Sequence, residues 1–545
     1  MACPCKKEDT NVCKCETTGE CKCGETCSCE NCAAKQKKQE KPACACAAAG
    51  KDCFYSQVEQ VRLGIPFDTP AAVQQWRGLI AVNYAARKAG VARHSDITEA
   101  KRLCPDIKLL HVATYGPNDT KAQYHENPDR NTHKVCLDPY RNASREIFKI
   151  FHQYCDTIQK IGTDEGFMDV TNTVNQRLMD RYPTQCIDRV NEETCGVDID
   201  WKGIVLTNKE EDEKGELDPP TWQDLQLAMG AELASEIRTH VYDKLHYTCS
   251  AGIAHYKVIA KLCSSKNKPN KQTVLRDSAR MDFMCDVPFQ KIRNLGGKLG
   301  SEVGADLKIQ NSNELWKYSK SDLKSKYGPS TGLYLYHICR GIDHEPVTPS
   351  KPPQSIMAAK AFTPAIDLPL QMENWFSILS VELHSRILQN YKDHGTWPKS
   401  ISIRYAPEFG NYRTKAMGTL HKDDMQTCDL LMKKFQQTYN ALPGAYPCRG
   451  LDLVASGFSV SESSSRSLTS FFSKAPVEPR AKSPPRKEKE TDLRWQCDKC
   501  QERVHVRDID EHTDYHFALE ISQQEDSTPK RKPTEMASIF AKRQK

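Results

Sequence analysis

Apolar residues are almost missing from the first 53 positions and return in force after them. That opening segment has no aromatic residue, no Leu or Ile and a single Val, Val12, so it cannot build a core. From 51 to 270, short apolar runs alternate with stretches at helical spacing. The clearest is Trp222–Asp243, where Leu225, Leu227, Met229, Leu233 and Ile237 predict a helix with one buried side. Residues 271–345 read as helical, with a turn at Gly296-Gly297. A linker carrying Pro349, Pro352 and Pro353 follows. Between 354 and 460, Trp375–Leu388 reads as an amphipathic helix and Ser400–Tyr405 alternates as a strand does. From about Ser461 the chain is rich in Ser, Pro, Lys, Arg and Glu, which predicts disorder broken by short islands. No apolar run is long enough to span a membrane. The pattern predicts helical and strand segments in several domains.

Composition adds two facts. A length of 545 residues suggests several domains, and a net charge of +6 is modest, so any polyanion-binding surface needs clustered cations. The first 53 residues also hold 12 of the 25 cysteines, ten of them in the pairs Cys3/Cys5, Cys13/Cys15, Cys21/Cys23, Cys27/Cys29 and Cys44/Cys46. Thiolates at that spacing bridge soft metals such as Cu(I) or Zn2+, and the segment resembles a small metallothionein. Positions 1–20 lack the apolar segment of a secretory signal, which argues against a disulfide framework. The other 13 cysteines are scattered, as in a reduced compartment.

Candidate chemistry centres on Asp164 and Glu165, bracketed by Gly162 and Gly166. Neighbouring side chains on a regular strand point to opposite faces. Adjacent acids therefore converge only at a bend or hairpin tip, which the glycines permit. Such a pair suits Mg2+, which prefers oxygen ligands, and two Mg2+ ions can clamp phosphoryl transfer. A lone Asp-Glu pair is otherwise a solvated turn. In the tail, Cys497-x2-Cys500-x11-His512-x3-His516 has zinc-finger spacing. His512 and His516 stand one helical turn apart, and Asp508 is placed to cap that helix. The helix is acidic, which argues against contact with phosphates.

The motifs around the acid pair resemble one family. Asp52-Cys53-Phe54-Tyr55-Ser56-Gln57-Val58-Glu59, Ile80–Arg87, Gly90-Val91-Ala92-Arg93, Lys261, Asn267–Thr273, Arg293–Gly300 and Cys339–Asp343 follow in order. They are similar to the Y-family translesion DNA polymerases, specifically the eta type. The resemblance implies an α+β multi-domain protein with a right-hand fold. A palm at 51–270 would carry fingers inserted at about 54–124, followed by a thumb at 271–345 and a little finger at 354–460. A linker at 461–490, a ubiquitin-binding zinc finger at 491–525 and a basic tail at 526–545 would complete it, behind the Cys-rich 1–50.

The resemblance also implies roles. Asp164 and Glu165 would hold two Mg2+ ions. Tyr84, Arg87 and Lys268 would bind the dNTP triphosphate, as a phenol and two cations suit polyphosphate. Tyr55 would reject a ribose 2′-hydroxyl. Gln74 and Arg93 would meet templating bases, including a linked pyrimidine dimer. Backbone N–H groups at Gly296 and Gly297 would hold a phosphate of primer–template DNA. Glu511–Leu519 is similar to the eta-type ubiquitin-binding finger, so Asp514 and Ala518 would face ubiquitin, opposite the Zn2+ held by Cys497, Cys500, His512 and His516. Leu468, Phe471 and Phe472 resemble the plug that docks replication proteins on the sliding clamp, with Ser465 in place of the usual Gln. The same Phe pair also suits a scaffold translesion polymerase. Met536, Ile539 and Phe540 form a weaker second clamp candidate. Thr528–Pro533 reads as a nuclear import signal, giving a nuclear enzyme recruited to ubiquitinated clamp.

One departure stands out. The family opens on an apolar strand ending in Asp-Met-Asp or similar, whose first Asp is the third metal-binding carboxylate. Here Gly50 stands at that position, Lys51 at the middle and Asp52 at the last, and Ala43–Ala49 replaces the apolar strand, which is expected to be absent. Asp52 would substitute only if the strand slipped by about 6.6 Å. A lesser departure is Gly162-Thr163 in place of Ser-Ile. Three readings follow: a polymerase lacking one carboxylate, a non-catalytic module binding DNA, ubiquitin and clamp, or metal buffering by the first 46 residues. The opening segment points to a gene fusion or a misassigned first exon.

Overall fold

The computed structural model describes residues 46–182, 196–408, 410–419, 427–460, 494–496 and 503–505. It divides into two compact units, Met1–Glu462 and Ser463–Lys545.

The first unit is organised around a six-stranded mixed sheet in the order Ile158–Lys160, Glu165–Asp169, Cys46–Lys51, Cys249–Ala254, Gln272–Leu275, Ile204–Leu206. The strand expected to be missing is therefore present, and it is central. Cys46–Lys51 runs antiparallel to both neighbours, pairing Ala48 with Phe167 and Gly252, and Gly50 with Glu165 and Ser250. An Ala-Gly run has little strand preference of its own, and partners on both sides override that. Gly252 lies opposite Ala48, and a Cβ added there would collide with the Ala260 carbonyl, so helix Lys257–Lys266 lies hard against the sheet. A boundary at residue 50 would cut this strand. The stretch read as helical from 271 likewise opens with a strand of this sheet, Gln272–Leu275, paired in parallel on both sides.

Helix Trp222–Leu245 starts on a capping box made by Thr221 and Asp224 and covers one side of the sheet. All five of its expected apolar positions are buried, packed with Tyr140, Ile147, Phe151 and Val274. Beneath its start, the Arg276 guanidinium is 2% exposed and is held by Glu211 and Asp224.

A three-stranded sheet, Gly78–Val82, Ala71–Gln75 and Lys108–His111, has its own small core of Leu79, Val82, Val91 and Ile107. Helices between 280 and 338 enclose Phe289, Leu295, Leu315 and Leu335. Lys257, 2% exposed, ties this cluster to the sheet by donating to Glu345 at 2.9 Å and Gln159 at 2.7 Å.

Residues 355–460 form a four-stranded antiparallel sheet, in the order Ser355–Ile366, Cys448–Val460, Thr396–Pro407, Arg413–Thr419, packed by helices Pro369–His394 and Cys428–Asn440. The helix and strand expected near 375–388 and 400–405 lie inside these elements. Trp375, Phe376, Leu379, Ile403, Phe435 and Tyr439 make the core. The Lys134–Glu382 ion pair, 2.5 Å and nearly buried, joins this body to the rest of the unit. No helix among the described residues is long and apolar enough to cross a membrane.

In the second unit, Arg494–Gln496 pairs antiparallel with Arg503–His505, Trp495 opposite Val504.

Candidate active site

Asp164 and Glu165 occupy a hairpin tip, as their glycine brackets predict. Strands Ile158–Lys160 and Glu165–Asp169 are joined by a tight turn in which the Ile161 and Gly162 amides both donate to the Glu165 carbonyl, at 3.0 and 3.3 Å. Gly166 leaves room for the Phe148 ring, which a Cβ would meet at 2.9 Å. The tip thus stands on a packed base while Asp164 is exposed and Glu165 half-buried.

Register places Glu165 directly opposite Gly50. Directly opposed residues share a face of the sheet, with Cβ atoms about 4.5–5.5 Å apart. The position where the resemblance requires a third carboxylate is therefore in the right place and carries no side chain. Lys261, from helix Lys257–Lys266, ion-pairs with Glu165. Burial holds the Lys261 ammonium below its usual range, reinforced by the Lys268 and Arg293 charges and opposed by Asp164. Among the described residues no group of three His, Cys, Asp or Glu is placed to hold a metal ion. Two hard oxygen donors at a tip suit Mg2+ but fall one short of a three-carboxylate set.

Tyr84, Arg87 and Lys268 are brought together. Asn83 caps helix Tyr84–Lys88, its Oδ1 accepting from the Ala86 amide at 2.9 Å. Arg87 donates from Nε to the Val82 carbonyl at 3.0 Å, and its guanidinium lies 5.2 Å from the Tyr84 ring centroid. The Tyr84 hydroxyl hydrogen-bonds to the Cys53 sulfur. The thiol is pushed up by burial, while the Arg87 and Lys268 charges pull it down. Lys268 Nζ lies 4.0 Å from Asp52 Oδ1. The turn Asp52-Cys53 thus sits at the centre of the trio, and the Lys268 charge also acts on Lys261, which pairs with the acid tip.

Asp52 itself is not beside Glu165. The strand ends at Lys51, and Cys53 turns the chain with a left-handed φ of 44°. Asp52 is 2% exposed, and accepts from the Ser250 hydroxyl at 2.7 Å and the Asn270 amide at 2.6 Å. The strand slip needed to make it a stand-in does not occur.

Tyr55 stacks on Tyr140, with ring centroids 4.0 Å apart and planes 10° from parallel. Tyr140 is fixed in turn by donating to Glu59 at 2.8 Å. Gln74 donates to the Trp76 carbonyl at 2.6 Å and lines a cavity of about 1080 Å³ with Arg77, Lys101, His111 and Arg130. Arg93 is exposed on the following turn and is not among the residues lining that cavity. Gly296 and Gly297 are exposed, and Gly297 caps helix Lys298–Leu307. At Gly300 a Cβ would collide with the Leu295 carbonyl, which holds the turn close to the helix.

Periodicity gave no sign of Arg238, which lies on the outer part of helix Trp222–Leu245. Its Nη2 donates to Asn270 Oδ1 at 2.7 Å and its Nε to the Cys249 carbonyl at 2.7 Å. Only its position one turn past the buried Ala234 could have hinted that it faces the sheet's end.

The expected zinc ligands Cys497, Cys500, His512 and His516, the ubiquitin-facing Asp514 and Ala518, the clamp-binding Leu468, Phe471 and Phe472, and the N-terminal Cys-x-Cys pairs, Cys46 excepted, lie outside the described residues. In sequence, Cys497 and Cys500 fall in the connection between the paired strands Arg494–Gln496 and Arg503–His505.

Comparison with known proteins identifies polymerase domains along the chain. Residues 51–265 match the impB/mucB/samB family, 353–469 its C-terminal domain, 287–342 the DNApol eta/Rev1 HhH motif, and 494–524 the Ubiquitin-Binding Zinc Finger. N-acetyltransferase eso1 of Schizosaccharomyces pombe is 30% identical over 90% of this chain and 63% of its own length. DNA polymerase eta of Drosophila melanogaster is 32% identical over 66% of the chain and 41% of its own length. DNA polymerase eta of Saccharomyces cerevisiae is 26% identical over 89% of each. The chain thus spans less than two thirds of the first two relatives.

Proposed function

We propose, for a chain that carries Y-family polymerase domains and is related to the eta-type polymerases, that it extends a DNA primer against a damaged template. The grouping of Tyr84, Arg87 and Lys268 around the Asp52-Cys53 turn, two residues past the pairing of Gly50 with Glu165, carries this reading. Arg87 and Lys268 would neutralise the triphosphate of a dNTP and orient it toward the tip. The stacked Tyr55 would limit space at the sugar. Asp164 and Glu165 would hold Mg2+, which when bound supplies charge neutralisation for phosphoryl transfer. Gln74 and the exposed Arg93 would meet the template, UV photoproducts included. Exposed Gly296 and Gly297 would meet a backbone phosphate.

Primer extension on templates with and without a thymine dimer tests this. The full chain is expected to extend primers in Mg2+, and Asp164→Ala to slow it by about 10²–10³-fold. Extension indifferent to Asp164→Ala would sink the assignment.

A second reading is favoured by Gly50. With one carboxylate missing and Lys261 paired to Glu165, the chain would bind primer–template DNA while synthesising little. The matched zinc finger supports ubiquitin binding, and with the clamp motif it would bring the protein to ubiquitinated sliding clamp in the nucleus. Zinc fits the Cys2His2 donor set. Asp514→Ala, or removal of zinc by a chelator, is expected to weaken ubiquitin binding tenfold or more by calorimetric titration, about 1.4 kcal/mol, while DNA affinity stays put. Equal loss of DNA affinity would contradict the assignment.

A further inference from the structure

The structure gives Asp52 an environment unlike that of a metal ligand. Its two carboxylate oxygens are engaged by two different elements, Oδ1 by the Ser250 hydroxyl of strand Cys249–Ala254 and Oδ2 by the Asn270 amide. Turning it toward Glu165 would strand both donors in a site where Asp52 is 2% exposed, which is costly. Asn270 has a left-handed φ of 50° and is gripped from its other side by Arg238, which also donates to Gln272 at 3.1 Å. The loop after helix Lys257–Lys266 is thus clamped at Asn270 by an acid on its backbone and a guanidinium on its side chain. Lys268 sits two residues back, its Nζ 4.0 Å from Asp52. That separation is too long for a hydrogen bond. Lys268 therefore spends none of its three donors on Asp52.

We propose that Asp52 is a positioning residue for the triphosphate arm: it fixes the 267–272 loop so that Lys268 stands beside Tyr84 and Arg87, and it does not replace the carboxylate missing at Gly50. This rests on the reading that Lys268 meets the triphosphate. The Asn270 amide needs an acceptor, and the Ser250 hydroxyl can either donate or accept. Asparagine at 52 satisfies both, with its oxygen toward Asn270 and its amide toward Ser250. Alanine satisfies neither. Position, and not charge, is thus what Asp52 contributes.

The test is equilibrium binding of an α,β-imido dNTP to the full chain on primer–template DNA, with 2-aminopurine beside the templating base, over a range of Mg2+ concentrations. Asp52→Ala is expected to weaken the analogue about tenfold or more. Asp52→Asn should stay within about threefold of the parent, with DNA affinity and the Mg2+ midpoint unchanged in both. If Asp52→Ala does not fold, Asp52→Ser, too short to reach Asn270, carries the same expectation. A Mg2+ midpoint raised in both the Ala and Asn variants would make Asp52 a metal ligand and overturn the proposal. Lys268→Ala weak with Asp52→Ala unaffected would overturn it alone. Lys268→Ala binding like the parent would overturn the triphosphate reading and this proposal with it.

Discussion

Gly50→Asp should raise the rate of primer extension by about 10²–10³-fold, the worth of one preorganised electrostatic group in an oxyanion-hole-type site. The register decides this. Gly50 faces Glu165 across a continuous antiparallel ladder that runs from Cys46 to Gly50. A side chain added there emerges on the same face as Glu165, within reach of the same ions. It would also give Lys261 a second acidic neighbour, weakening its hold on Glu165. The comparison is single-turnover extension by the parent, Gly50→Asp, and Gly50→Asp combined with Asp164→Ala, where the gain should vanish. A folded Gly50→Asp protein that binds DNA normally and gains nothing would mean that the chain already supplies this function by another group.

Arg276→Ala should cost about 3–5 kcal/mol of stability, because it leaves buried carboxylates without their counter-charge. The guanidinium donates to Asp224 at 3.1 and 3.0 Å, to Glu211, and to the Asp218 carbonyl at 3.1 Å. Glu211 is 1% exposed and Asp224 4%. Both acids also work as caps: Glu211 accepts from the Asn208 and Asp218 amides, and Asp224 closes the capping box of helix Trp222–Leu245. Losing Arg276 therefore loosens the start of the longest helix on the sheet as well as the ion cluster. For a body of this size the thermal midpoint should fall by several degrees, at about 2–4 °C per kcal/mol. Arg276→Met, which fills the volume, should be no better, since the acids remain. A midpoint shift under a degree would show that the cluster relaxes or takes in water.

Different parts of this architecture were legible to different degrees, for physical reasons. Helix Trp222–Leu245 was readable because its apolar positions repeat at 3.6 residues, and the acid hairpin because two glycines bracket a pair that cannot share a strand face. Strand Cys46–Lys51 was not, because Ala, Gly and Cys carry no strand signal, and its place is set by partners more than 100 residues distant in sequence. Strand Gln272–Leu275 was hidden in the same way, by parallel partners on both sides. The site followed the same rule. The acids could be argued from local geometry, but the meeting of Tyr84, Arg87 and Lys268 came only through resemblance. The commitment of Asp52 to Ser250 and Asn270 is a long-range fact that no local pattern encodes.

The central placement of Cys46–Lys51 also has a mechanical side. The strand is zipped to its neighbours along six residue pairs on one flank and five on the other. A pull along the strand axis from its N-terminal end would load both ladders in shear at once, so no single pair can peel first. Anything fused ahead of Cys46 and held under tension would meet a grip far stronger than an edge strand offers, and force reaching the sheet this way would arrive at Gly50, directly opposite Glu165.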